Sequence, residues 1–428
     1  MRLLLVGAFP YPHHQGSQVY FQEQAIALRS AGAEVCLLTY ASNSGRILPG
    51  AAPAPGGRSP DEHWRALDGF ELRTSPGWTA PASLRAGPSW AKPLGDLGLA
   101  MTLRHDIASH SGNNAYDAIL THNVEAALVA LHGLPRGRPP VVYCAHTLLG
   151  EELSAYLRGP ETKGLSVSKA VFGESTRWLR GLDRVGEGID RWIAQRVDGW
   201  LSLTQSSFRV MRQFSSAPGA LVPPALPDPE RSSAGMSPAD VAHKHALEPG
   251  GFFLYSGNLD AYQELDILAA AAVDLAHRSA TPPVIVIASH GPTADWAQAM
   301  PGVEFREVES AAEMQALLSA ARASLVMRRA KGGFPIKLVN SLALGTPVVA
   351  FHDKEWGLTH EGDSLICAST EPPAKSLADA LERLAGDEAL TKRLADGARA
   401  LYLERHRPER AAENTLALLR RVEAFQPR

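Results

Sequence analysis

Residues 331–350, KGGFPIKLVNSLALGTPVVA, hold the side chains best arranged for anion chemistry. Gly332 and Gly333 let backbone approach a ligand closely, and Phe334-Pro335 stiffens the entry to a helix. Ile336, Leu338, Val339, Leu342 and Leu344 give that helix an apolar face, and Lys337 falls in its first turn. The helix dipole disfavours a lysine there, yet a cation beside unbonded helix N–H groups is well placed for a phosphate. A solvated lysine on an ordinary loop and helix is the plainer alternative.

Four further groups stand where predicted strands end. His13-His14-Gln15-Gly16-Ser17 precedes the first long helix, so Gly16 and the following N–H groups can receive a phosphate or hydroxyl oxygen. A plain helix cap is the alternative. Thr121-His122-Asn123 and His146 each follow a strand. A histidine there is either a hydrogen-bonded filler or, kept neutral, a donor or acceptor at a reacting group. Residues 255–264, YSGNLDAYQE, join a strand to a helix. Gly257 permits a tight turn, Asn258 and Gln263 offer neutral donors, and with Lys337 they can surround a pyrophosphate; a bare loop is the alternative.

Several chemistries are absent by motif. There is no GxxxxGK[ST] phosphate loop, no GxGxxG turn after the first strand and no GxSxG elbow. No Asp-x-Asp pair is present to clamp a divalent metal on a diphosphate, and no HExxH or CxxC suggests zinc. The expectation is a site with no metal and no cofactor. A net charge of −3 over 428 residues argues against a nucleic-acid partner. Cys36, Cys144 and Cys367 lie far apart in apolar segments, as buried hydrophobes in a reducing compartment would. The apolar run in MRLLLVGAFPYP is too short for a signal peptide and flows into a strand-loop-helix pattern, so a cytoplasmic location is expected.

The elements that must position these residues follow two α/β series. Strand 3–6, a glycine-rich loop, a helix over 18–31 capped by Ser17, and strand 35–39 make a βαβ unit. Residues 43–93 read as an irregular insertion with short strands near 70–73. Strands at 118–120, 141–145, 199–203 and 220–222, with helices at 123–132, 183–196 and 206–214, complete a first domain over 1–222. A Pro-, Ser- and Gly-rich linker spans 223–251. The second domain, 252–405, runs strand 252–255, helix 265–278, strand 284–288, helix near 294–300, strand 303–306, helix 311–321 and strand 324–327, then the opening motif and strand 348–351. The last segment, 406–428, reads as a helix that returns to the first domain. Two doubly wound parallel sheets in tandem predict a central cleft between their carboxyl ends.

In this order the pieces resemble the group-1 retaining glycosyltransferases of the GT-B fold over nearly the full length. MRLLLVGAFPYPHHQGSQVYFQEQAIALRSAGAEVCLLT is similar to that family's opening strand, loop and helix, and YDAILTHNVEAALVAL and PPVVYCAHTLLGEEL to its middle strands. FFLYSGNLDAYQELDILAAAA resembles the start of its donor domain, and GGFPIKLVNSLALGTPVVA its Glu-x7-Glu region. The family's loop arginine and lysine correspond to Asn258 and Gln263, its two glutamates to Gly332 and Asn340, and the glycine after the lysine to Glu264. A subgroup with a Tyr-Gln loop and without the glutamate pair matches Tyr262-Gln263 and Pro335-Ile336-Lys337.

The resemblance implies a nucleoside diphosphate sugar as donor and transfer with retained configuration, without metal. It places His146 and Lys337 at the chemistry. Gly16, Ser17, Gly257, Asn258, Gln263, Gly333, Phe334, Pro335, Ile336 and Asn340 would hold the donor. His13, His14, His122 and Asn123 would face a glycan, lipid-linked or small-molecule acceptor. It leaves room for peripheral contact with the inner face of a membrane, through Arg177-Trp178-Leu179-Arg180 and Arg191-Trp192-Ile193, unless these tryptophans pack inward. The altered donor residues keep a second reading open, a catalytically degenerate sugar-binding or partner subunit.

Overall fold

In the computed structural model of the chain the residues described are 1–11, 16–41, 69–80, 92–151, 176–229, 236–257, 259, 263–290, 300–329, 333–351, 355–367 and 372–425. Strands β1 (Arg2–Pro10), β2 (Glu34–Tyr40), β3 (Glu71–Thr74), β4 (Ala118–His122), β5 (Val141–Ala145), β6 (Gly199–Ser202) and β7 (Gly219–Leu221) form one sheet in the order β3-β2-β1-β4-β5-β6-β7. Strands β8 (Phe252–Ser256), β9 (Val284–Ser289), β10 (Val303–Glu307), β11 (Ala323–Val326), β12 (Val348–Ala350) and β13 (Ser364–Ile366) form a second, in the order β10-β9-β8-β11-β12-β13. Every strand pair is parallel. The order reverses between β1 and β4 and again between β8 and β11, and such switch points open crevices beyond the strand ends.

The unbroken apolar run of β1 follows from burial on both faces: Leu3, Leu4, Leu5 and Val6 are all inaccessible. Leu3 and Leu5 pack with Phe21 and Leu28 of the helix Gly16–Ser30. Leu4 and Val6 pack with Leu99 and Leu103 of the helix Lys92–Ser109 and with Ala126 and Ala130. That second helix interrupts the stretch between strands where no element is anticipated. Its sequence, KPLGDLGLAMTLRHDIAS, is apolar nearly all round and contains two glycines, so no single face stands out. Within the segment 43–93, β3 stands where a short strand is expected, and a 3-10 turn, Gly77–Thr79, follows it. The linker carries a short helix, Pro238–Lys244, whose cap Ser237 accepts from the Asp240 N–H at 3.4 Å. β13 adds an unanticipated edge strand, and the first long helix begins at Gly16, which places Ser17 inside it. The helix expected near 294–300 lies almost wholly outside the described residues.

Two features join the halves. The helix Pro408–Phe425 lies on the first domain, where Leu418, Leu419 and Val422 share a core with Phe21 and Leu28. Before it, the Tyr402 hydroxyl donates to the Leu226 carbonyl at 3.0 Å and His406 Nδ1 donates to the Pro224 carbonyl at 2.7 Å. The carboxyl ends of the two sheets also touch. The Gln205 N–H, after β6, donates to the Glu355 carbonyl, after β12, at 3.2 Å. A Cβ placed on Gly16, after β1, would lie 3.6 Å from the Ile336 side chain.

Candidate functional site

The helix Ile336–Leu344 starts after Pro335, whose φ of −73° suits an entry to a helix, and no side chain caps it. It ends at Gly345, φ +67°, where the N–H of Thr346 donates to Ser341 O and that of Gly345 to Leu342 O. This Schellman closure explains the glycine and fixes the helix length. Leu338, Val339 and Leu342 are buried, as their spacing requires, so Lys337 is turned away from that face and half-buried.

Lys337 reaches the crevice beside β8. Its ammonium lies 3.9 Å from the centre of the Tyr255 ring and donates to Gln263 Oε1 at 3.3 Å. Gly257, φ +125°, leaves the backbone bare beside it: a Cβ there would stand 3.3 Å from Lys337 Nζ. The predicted grouping of Gly257, Gln263 and Lys337 is therefore one cluster at the β8/β11 switch point. Glu264, where the resembling family has glycine, keeps the backbone such a glycine would adopt, with φ +53°. Its carboxylate is gripped by Arg329, which donates from its backbone N–H at 2.9 Å, from Nε at 3.0 Å and from Nη2 at 2.5 Å. Asn340 is half-buried one turn beyond Lys337, three positions on, and so on the same helix side.

Across the junction the chemistry differs. His122 at the end of β4 and His146 after β5 are hydrogen-bonded, Nδ1 to Nε2, at 2.9 Å, one ring donating to the other. Tyr20 stands edge-on to His146 with centroids 4.9 Å apart, and Phe21 edge-on to His122 at 4.8 Å. Burial holds both imidazoles neutral. His122 falls well below its usual value through desolvation and the neighbouring His146, and His146 is pushed down to about 3 by desolvation. His122 is wholly inaccessible and His146 6 % exposed, so His122 stands behind His146 and not at the acceptor surface expected for it. Asn123 begins the next helix at φ +73°, a conformation asparagine tolerates.

Gly333 brings the two sides together. Its φ is +72°, and a Cβ there would stand 2.9 Å from Thr147 Cγ2, 3.9 Å from the His146 carbonyl and 3.6 Å from Arg328 Nη1. The Trp356 indole N–H donates to the Gly333 carbonyl at 3.3 Å, and Phe334 is buried against His406. Gly16, at the amino end of its helix, meets this junction at Ile336, and Ser17 follows it inside the helix. His13, His14, Asn258 and Gly332 lie outside the described residues. Sequence reasoning missed Arg328 and Arg329, although two basic residues directly after an apolar strand were a signal at hand. It also missed Tyr20 and Thr147, which no local pattern marks. Of the tryptophan surface, Trp192 stacks on His132 at 4.7 Å and Ile193 is inaccessible, while the side chains of 177–180 lie outside the described residues. No helix among the described residues is long and apolar enough to cross a membrane.

Comparison with known proteins agrees with this architecture. Residues 15–224 match the glycosyl transferase 4-like domain, and residues 251–387 match the glycosyl transferases group 1 domain. No curated protein matches the chain in sequence. Among solved structures, sucrose-phosphate synthase from Thermosynechococcus elongatus superposes with a TM-score of 0.70 at 15% identity, covering 100% of both chains. Anabaena HepE in complex with UDP gives 0.65 at 14% identity, covering 98% of this chain and 100% of that one. WaaG, a glycosyltransferase involved in lipopolysaccharide biosynthesis, gives 0.59 at 15% identity, covering 96% and 98%. At these identities the structures speak for the GT-B fold, and the two domain matches, in order and one to each sheet, speak for the family. The chain belongs to the group 1 glycosyl transferases and is a glycosyltransferase of the GT-B fold.

Proposed function

We propose that the chain moves a glycosyl group from a nucleoside diphosphate sugar to an acceptor hydroxyl, with retention and without a metal. The observation that carries this reading is the cluster of Lys337, Gln263 and Gly257 at the β8/β11 switch point. A leaving diphosphate needs cationic and N–H partners, and this corner offers an ammonium, bare backbone at Gly257 and the uncapped amino end of the helix Ile336–Leu344. HepE is a solved neighbour in complex with UDP and with UDP-glucose, and TarM from S. aureus one with UDP, which supports a donor of this class.

In the proposed reaction the donor diphosphate lodges against Lys337, with Gly16 and Ser17 at its rim. Its leaving oxygen takes the acceptor's proton on the same face of the sugar, so no protein carboxylate is needed as nucleophile. The neutral His146 hydrogen-bonds the transferred sugar, and Asn340 the ribose or sugar. The acceptor, a glycan or lipid-linked sugar, enters from the first domain. Three buried, unpaired cysteines suit a reducing compartment, so the reading places the reaction in the cytoplasm. The test is a product screen by mass spectrometry with UDP-, GDP- and ADP-sugars, with and without EDTA, and NMR assignment of the product anomer. Activity that disappears with EDTA, or an inverted anomer, would remove the corresponding part of the proposal.

One observation favours a second reading, a sugar-binding or partner subunit without turnover. The first donor-domain loop carries Gln263 and the anion Glu264 where the resembling family carries a cation and a glycine. Calorimetric silence with every nucleotide sugar would support it.

A further inference from the structure

The diphosphate of a nucleotide sugar carries about two negative charges, and the loop after β8 supplies no cation among its described residues. The structure shows where other charge stands. β11 is the strand beside β8 across the switch point, and Arg328 and Arg329 follow its carboxyl end directly. They have different surroundings. Arg329 is occupied by Glu264 through three hydrogen bonds, which balances the Glu264 carboxylate of the neighbouring loop. Arg328 runs toward Gly333, its Nη1 3.6 Å from where a Cβ on that glycine would be.

The result is a repeated arrangement around one helix start. Gly257 and Gly333 both have positive φ, both present bare backbone, and each has a cation within van der Waals reach, Lys337 for the first and Arg328 for the second. Glycine is required at Gly333, because a Cβ would also strike Thr147 Cγ2 at 2.9 Å. We infer that in this chain the positive charge for the diphosphate has moved from the first donor loop to the end of the neighbouring strand: Arg328 is a donor-binding residue that pairs with Lys337, and Arg329 is a positioning residue that neutralises Glu264. A planar guanidinium suits this place, since it can donate two parallel hydrogen bonds to phosphate oxygens. This inference rests on the nucleotide-sugar reading above.

The test is calorimetry on the full chain with UDP, GDP, ADP, UMP and inorganic pyrophosphate at low and moderate salt. Wild type is compared with Arg328→Gln, Arg328→Lys and the remote charge control Lys375→Gln. Arg328→Gln is expected to weaken the preferred nucleoside diphosphate by about ten- to a hundredfold, the range for a lost charged hydrogen bond. The UMP, pyrophosphate and salt arms follow from charge: UMP loses less than UDP, pyrophosphate loses as UDP does, and wild type depends more on salt than the variant. Arg328→Lys, which keeps the charge and loses the fork, should fall between, and Lys375→Gln should match wild type. Binding by Arg328→Gln within about twofold of wild type overturns the inference and leaves the functional reading intact. If Arg328→Gln melts early, Arg328→Lys decides: a loss as large as that expected for Gln means charge is not what counts there. A wild-type chain that binds none of the three nucleoside diphosphates overturns both.

Discussion

The two sides of the junction are built on opposite physics. On the first domain His122 and His146 are buried, uncharged and boxed by Tyr20 and Phe21. On the second, Lys337 and Arg328 are half-buried cations and Arg329 is committed to an ion pair. A buried neutral pair costs little to desolvate and holds its rings rigidly, so it suits the positioning of a neutral sugar. A partly wet cation keeps its charge and suits a leaving diphosphate. The difference predicts that substitutions on the first side act mainly on folding and those on the second mainly on the binding of a charged ligand.

Lys337→Ala tests the comparison most severely. It should raise the donor KM or lower kcat by about a hundredfold, while the melting temperature drops only about 2 °C, because the ammonium's contact with Tyr255 is worth about 1 kcal/mol. Unchanged kinetics would remove Lys337 from the site. Gly333→Ala comes next. A non-glycine residue at φ +72° and a Cβ pressed on Thr147 together should cost about 1–3 kcal/mol. Adding Thr147→Ser, which removes the struck methyl, should return part of that loss in thermal unfolding; no recovery would show that the contact across the junction does not matter.

The imidazole side should answer to pH. The folded-state values of His122 and His146 lie below the usual 6.5, that of His146 at about 3. Folding therefore resists their protonation: the stability is complete above pH 6.5 and falls as pH drops from there toward 3. The slope is at most about 1.4 kcal/mol per pH unit for each group. Unfolding of His122→Asn followed against pH should show a shallower acid limb. A limb parallel to wild type would mean that this histidine is not held neutral by its burial. Smallest is the Glu264 pair. Glu264→Gln keeps the positive φ but loses the charge pairing with Arg329, a loss of about 1 kcal/mol. Glu264→Gly also loses the pairing but relieves the backbone, so it should melt higher than Glu264→Gln; the reverse order would show that strain at this position is negligible.

Much of this site was legible because local rules reach it. Lys337 and Gly333 belong to a loop-helix-glycine pattern whose apolar spacing marks the helix face, and Gly257 and Gln263 follow a strand read from its unbroken hydrophobic run. What stayed hidden depends on contacts distant in sequence. Arg329 finds Glu264 65 residues away, and His122 finds His146 24 residues away. The helix Lys92–Ser109 was missed for another reason: apolar residues all round it blur the period that marks a helix.

Hydrophobic period and glycine placement, which act within a few residues, were enough to determine two parallel α/β series and their strand ends, and to mark the loops between them as candidate anion sites. Strand order, and with it the company each loop keeps, was decided only by the tertiary structure. A switch point exists only once β8 has paired with β11, and that pairing turns a glutamate in a donor loop into a neutralised anchor and leaves an arginine beside Gly333. Charge acts through space, so the balance of cations around a ligand is settled by which chain ends meet.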